Sequence, residues 1–174
     1  ARLPEEMVRA LAETGRTLAD VDLFAVVSGP GSFTGLRVGV AAVQGLCLAL
    51  GRPAIGVPTL DALAEAWRLT TSDPARVVAC LDGLRGEVFY QVFEIDRAAS
   101  GPGASLEAAT RLTPASVSKP EGLVSVLEQL GPGRPFVLVG DGARRYEQTF
   151  TTSGLVLSVH DAPRTLAEAA VRLA

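Results

Sequence analysis

One order of elements occurs twice along this chain, and that repetition limits its fold more than any single motif. Leu3, Met7, Val8 and Leu11 recur at helical spacing until Gly15 stops the run. Leu23–Val27 is a short continuous apolar run, the pattern of a buried strand. Gly29–Gly35 reads as a loop, Leu36–Leu50 as a helix and Ala54–Val57 as a strand between two prolines. A helix capped by Thr59 then runs to about Trp67. Residues 3–67 therefore read α-β-α-β-α. Residues 117–174 read the same way: a helix around Leu123–Leu130, a strand Phe136–Val139, a short helix to about Phe150, a strand Leu155–Val159 and a helix Arg164–Ala174. In both copies a strand runs into Gly-x-Gly before a helix, as Ser28-Gly29-Pro30-Gly31 and as Val139-Gly140-Asp141-Gly142.

The second copy has strands in front of it. Arg76–Leu81 and Glu87–Ile95 flank the turn Asp82–Gly86 as a β-hairpin, and a third strand is expected over Glu107–Leu112 after a loop at Ala99–Ala104. A duplicated β-β-β-α-β-α-β-α unit whose first copy lacks its three opening strands accounts for the whole pattern. Ser72-Asp73-Pro74 serves as the linker, so the expected units are 1–72 and 73–174. The chain opens with Ala1 directly in one helical pattern and closes in another, which is the expectation for a piece cut at both ends.

The helix Leu36–Leu50 is apolar nearly all round. Leu36, Val40, Val43, Cys47 and Leu50 form one stripe, and Val38, Ala42, Gly45, Leu46 and Ala49 form a second apolar face. Such a helix needs cover on more than one side. One side is the sheet. The other is covered by the helix Leu3–Leu11 of the same chain or by another subunit, and the small residues Gly39, Ala42 and Gly45 permit close approach.

Catalytic constellations are scarce. His160 is the single histidine, which excludes a site built on two His ligands and disfavours a Ser-His-Asp triad. Its neighbours Asp161, Ala162 and Pro163 suggest an exposed turn. Asp82 and Glu87 flank a hairpin turn; a cation there is the alternative to a polar turn with Arg85. Asp141 after a strand fits a ligand contact or an ordinary β-to-α turn. The loop glycines Gly29, Gly31 and Gly35, with Ser32 and Thr34, allow an anion at the N-terminus of the following helix or simply a tight turn. The loop is no Walker A motif, because no lysine follows its last glycine, and its third glycine falls one position late for G-x-G-x-x-G.

Net charge is −3 with no basic run, so tight autonomous binding of nucleic acid is not expected. Cys47 and Cys80 sit in apolar stretches and read as buried reduced thiols. The longest apolar run, Leu36–Leu50, is interrupted by Arg37 and Gln44 and reads as too short to span a bilayer; no signal peptide is recognised, and a cytoplasmic place follows.

At Ser28-Gly29-Pro30-Gly31-Ser32-Phe33-Thr34-Gly35-Leu36-Arg37-Val38-Gly39 the chain closely resembles the TsaB (YeaZ) family. The likeness continues through Ala42, Gly45 and Leu46, Gly56-Val57-Pro58-Thr59-Leu60, Leu81-Asp82 and Gly86-Glu87-Val88-Phe89-Tyr90. The resemblance implies an α/β protein of the actin-like ATPase (ASKHA) fold, with two RNase H-like subdomains, the first without its three N-terminal strands. It implies a non-catalytic relative of the glycoprotease-like subunit TsaD, pairing with TsaD and the ATPase TsaE to transfer threonylcarbamoyl to the adenosine beside the tRNA anticodon. It further implies a homodimer when alone, only indirect contact with tRNA, and no cofactor on this chain by itself, with ATP or ADP at the complex. Family members begin with a strand bearing Asp-Thr, part of the first phosphate-binding hairpin, which this sequence does not contain. In the family the first-lobe helices pack against those of a second subunit, which assigns the partner surface to Met7, Leu11, Leu36, Arg37, Val40, Val43, Gln44 and Cys47. The alternatives are an active ASKHA enzyme, such as a small-molecule kinase or metallopeptidase, and a stand-alone nucleotide-binding module.

Overall fold

The computed structural model describes residues 3–71, 73, 75–96, 109–131 and 133–174. The first elements are α1 (Leu3–Glu13), a 3-10 turn at Leu18–Asp20, β1 (Phe24–Val27), α2 (Phe33–Leu50), β2 (Ala54–Val57) and α3 (Thr59–Arg68). They are followed by β3 (Ala75–Asp82), β4 (Val88–Ile95), β5 (Thr110–Arg111), β6 (Ser116–Ser118) and α4 (Pro120–Gln129). The chain continues through β7 (Phe136–Val139), α5 (Asp141–Arg145), α6 (Glu147–Thr152), β8 (Val156–His160) and α7 (Ala167–Arg172).

Two sheets result. β1 and β2 pair in parallel, from Phe24↔Ala54 to Val27↔Val57. The larger sheet runs β5-β4-β3-β7-β8, with β6 also beside β4. β3 and β4 are antiparallel, while β7 pairs in parallel with both β3 and β8. β7-α5-α6-β8-α7 thus reproduces in order and strand direction what β1-α2-β2-α3 does near the start. Among the described residues the first sheet has two strands.

The period-two alternation of β3 decides where the core lies. Val77 and Ala79 face one side of the larger sheet with Leu60, Leu63, Trp67, Phe93 and Val139. Val78 and Cys80 face the other with Leu123, Leu127, Leu138 and Phe150. α3 joins the two sheets: Leu60, Leu63 and Trp67 pack on the larger one, while Ala62 packs with Val57, Ala169 and Ala170. Being covered on several sides, α3 buries even Glu65 and Arg68, which form a two-pronged ion pair with both N–O distances at 2.6 Å. Such a pair holds its geometry because either partner alone would be a buried, uncompensated charge.

Several sequence expectations need correction. α2 begins at Phe33, not Leu36, because Ser32 caps it by accepting the Gly35 N–H at 3.3 Å. It ends at Gly51, whose φ of 64° suits glycine. The longer helix has 18 residues, which by length and composition alone is enough to cross a membrane. Thr59 is the first residue of α3 rather than its cap; its hydroxyl instead accepts the Gly29 N–H at 3.1 Å. The helix expected from Asp141 divides at Tyr146 into α5 and α6. The third strand is shorter than expected and is joined by β6, which no apolar alternation announces. The loop Ala99–Ala104, the start of the expected strand at Glu107, and Ser72 and Pro74 of the linker lie outside the described residues.

Candidate functional site

α2 has two sides, and the sheet decides which is inner. A Cβ on Gly39 would lie 4.0 Å from Val26 of β1, so the Gly39 face points at the sheet. Val43 on that side is buried, and Leu36, Val40, Cys47 and Leu50 are half-buried. Met7 and Leu11 of α1 are also half-buried. An apolar groove of about 410 Å³ lies here, lined by Leu3, Met7, Val26, Gly39, Val43 and Leu166 among others. The opposite side of α2 carries Thr34, Arg37, Val38, Ala41, Gln44, Gly45 and Leu48, all exposed. Leu48 is 87% and Phe33 72% exposed, the largest such values among the big apolar residues described.

The assigned partner surface is therefore split. Arg37 and Gln44 face solvent. Val43 faces the chain's own sheet, with Leu36, Val40 and Cys47 turned partly the same way. The outward apolar residues Val38, Ala41, Gly45 and Leu48 were not in that set, although Val38 and Gly45 belong to the second apolar face visible in the sequence. Arg37 and Gln44 mark the side that meets water, but the apolar residues between them hid it from the periodicity.

The Gly29–Gly35 loop is tied down locally. Gly29 donates to Thr59 and accepts from the Thr59 N–H at 2.9 Å, so the loop clamps the start of α3. The Gly35 N–H is taken by Ser32 and the Leu36 N–H by the Ser32 carbonyl at 2.8 Å. Gly31, Ser32 and Thr34 line a cleft of about 600 Å³ whose other wall is Leu81–Leu84, Phe89 and Asp141. Two of that wall's groups are carboxylates. Asp82 pairs with Arg145 at 2.5 Å, and Asp141 accepts the Asp82 N–H at 3.0 Å. Arg145 offsets the Asp82 charge, so the loop keeps both readings, an anion at the start of α2 or a tight turn.

The remaining candidates are separated. Asp82 finds Arg145, not the expected Arg85, and Glu87 is exposed. His160 ends β8 rather than sitting in a turn, exposed, with its Nε2 3.0 Å from the Ser158 hydroxyl. Asp161 is held by Arg144, whose hydrogen bonds keep its carboxyl below the usual carboxylate range. Cys80 is buried and its pKa is driven far up by desolvation, then by Asp141 and Asp82, so it stays a thiol; Cys47 is only half-buried. Among the described residues no group of three His, Cys, Asp or Glu could hold a metal ion.

A family model described as "TsaD: tRNA N6-adenosine threonylcarbamoyltransferase" matches residues 1–172. The tRNA threonylcarbamoyladenosine biosynthesis protein TsaB of Escherichia coli (strain K12) is 36% identical over 148 residues, 84% of this chain and 59% of that protein. This chain thus spans about three fifths of that relative's length. Among solved structures, an uncharacterized protein with similarity to peptidase YeaZ from Pseudomonas aeruginosa matches with a TM-score of 0.76 at 24% identity, over 99% of this chain and 73% of that one, a likeness of fold. YeaZ from Pseudomonas aeruginosa matches with a TM-score of 0.70 at 26% identity, over 99% of this chain and 74% of that one.

Proposed function

The chain belongs to the TsaB (YeaZ) family, with the actin-like, RNase H-like fold of that group, and from this we propose that it is a non-catalytic subunit in making threonylcarbamoyladenosine in tRNA. Its partner in this reading is a TsaD-like catalytic subunit, with a TsaE-like ATPase in the same assembly, acting in the cytoplasm. The observation that carries the reading is the outer side of α2: an apolar helix with Leu48 almost wholly in water. A contiguous apolar face on a soluble protein marks a surface that another molecule covers. The partner surface becomes Arg37, Val38, Ala41, Gln44, Gly45 and Leu48. Met7, Leu11, Leu36, Val40, Val43 and Cys47 support it from beneath. The 18-residue length that also suits a bilayer is read here as a helix shared between the sheet and the partner.

The non-catalytic part of the proposal rests on how the polar residues are used. The cleft carboxylates are committed to Arg145 and to a backbone amide, and the His160 ring lies beside the Ser158 hydroxyl of its own strand. None is set as a base beside a nucleophile with a group to orient it. The test is reconstitution with unmodified tRNA and threonylcarbamoyl-adenylate. The protein alone should give no modified adenosine, and adding the catalytic subunit should restore it. Turnover by the protein alone, lost in His160→Ala, contradicts the reading.

A further inference from the structure

Two large apolar side chains stand in water on opposite walls of one cleft. Phe33 opens α2, and Leu84 lies at the tip of the hairpin between β3 and β4; both are exposed and both line the cleft of about 600 Å³. Leu81 and Phe89 add apolar area on the Leu84 side. The hairpin holds Leu84 in place against strain. Its φ is 64°, which makes it the one left-handed residue other than glycine among the described residues. Such backbone persists where neighbours fix it. Asp82 accepts the Leu84 N–H through Oδ1 at 3.1 Å, and the Glu87 carbonyl accepts the Gly83 N–H at 2.8 Å.

The polar groups of the cleft divide into used and unused. Both Asp82 oxygens are engaged, one by Leu84 and the other by Arg145, which also offsets the charge. Asp141 accepts the Asp82 N–H through one oxygen at 3.0 Å. Its other oxygen accepts no hydrogen bond from the described residues, and none of their ion pairs includes it. Ser32 and Thr34 contribute neutral hydroxyls, and no Lys, Arg or His stands among the described residues that line the cleft. Arg37 lies over the Phe33 ring, 5.0 Å from its centroid, and Arg85 follows Leu84 at the hairpin tip; neither lines the cleft. A cavity of this size, with apolar walls and few polar groups, suits a small molecule. The charge left in it selects the sign of that molecule. A lone carboxylate beside apolar walls attracts a cation, and repels an anion, more strongly than it does in bulk water.

We infer that this cleft binds a small organic cation, a guanidinium, amidinium or ammonium group on an apolar body, with its charge on Asp141 and its body between Phe33 and Leu84. The N–H groups of such a cation make charge-assisted hydrogen bonds to the free Asp141 oxygen. Aromatic walls suit both the apolar body and the charge. The inference does not depend on the partner surface of α2.

The test is an NMR titration of the intact protein with three probes of one shape: benzamidine, which is positive, benzamide, which is neutral, and benzoate, which is negative. Benzamidine should shift the amides of Gly31, Phe33, Thr34, Gly83 and Leu84 and reach saturation. Benzamide should bind at least about tenfold more weakly, the difference made by a charged hydrogen bond, and benzoate more weakly still. Asp141→Asn keeps an oxygen for the Asp82 N–H and removes the charge, so it should bring benzamidine down to the level of benzamide. Leu84→Ala should weaken benzamidine and benzamide alike. The dispersion of the amide spectrum checks that each variant is folded. Benzoate binding as tightly as benzamidine would overturn the inference and favour an anion at the start of α2. A folded Asp141→Asn protein that binds benzamidine like wild type, or the absence of a saturable shift with all three probes, would overturn it as well.

Discussion

At the scale of single residues, several polar groups hold the fold through contacts distant in sequence. Asp82 meets Arg145 and Asp141 across roughly sixty positions, and Asp61 meets Arg111 at 2.9 Å. None of these pairs follows from local spacing, which is why the sequence offered Arg85 as the neighbour of Asp82. Gly140 shows the same limit. Its role as a β-to-α turn was legible, but not that a Cβ there would sit 2.2 Å from the Cys80 carbonyl oxygen. One titration tests a residue-scale statement. Hydrogen bonds from Arg144 lower the Asp161 pKa in the folded protein. The unfolded chain has the ordinary value, about 3.9. The associated stability is therefore complete above that value and is lost as pH falls through the lower, folded one. Carboxyl titration by NMR should place Asp161 below the ordinary aspartate value, and Arg144→Ala should raise it back toward that value.

At the scale of elements, sequence served best where apolar period and punctuation agreed. β2 and β7 fall at the expected residues, each a four-residue run bounded by turn formers. α2 started early because Ser32-Phe33-Thr34-Gly35 satisfies its own first turn, a capping signal hidden among residues that also make loops. The orientation of α2 was only partly legible. Arg37 and Gln44 mark the outer side, but they stand among Val38, Ala41 and Leu48, and contact with β1 is what separates Val43 from Leu48. Stability measurements should separate them sharply. Leu48→Glu should change the free energy of unfolding by no more than about 0.5 kcal/mol, as surface substitutions do. Val43→Glu places a charge against the sheet and should cost more than about 3 kcal/mol in urea denaturation. Equal losses would mean that α2 is turned differently.

At the scale of the whole molecule, the repeated order of elements predicted the architecture. Parallel pairing of β1 with β2 and of β7 with β8 follows from right-handed crossover units. The repeat said nothing about α3, which links the two sheets by burying almost every residue it has. With α3 holding the sheets together, α2 lies on the outside of the smaller one, where a second molecule can reach it. The central claim is that this outer side binds a catalytic partner. It is tested most directly by measuring the affinity of the intact protein for the TsaD-like subunit in wild type and in Leu48→Glu. Leu48→Glu should keep the wild-type circular dichroism and melting curve and lose binding by at least about a hundredfold, as expected for a charge placed at the centre of an apolar contact. A folded Leu48→Glu protein that binds the subunit as tightly as wild type would contradict it.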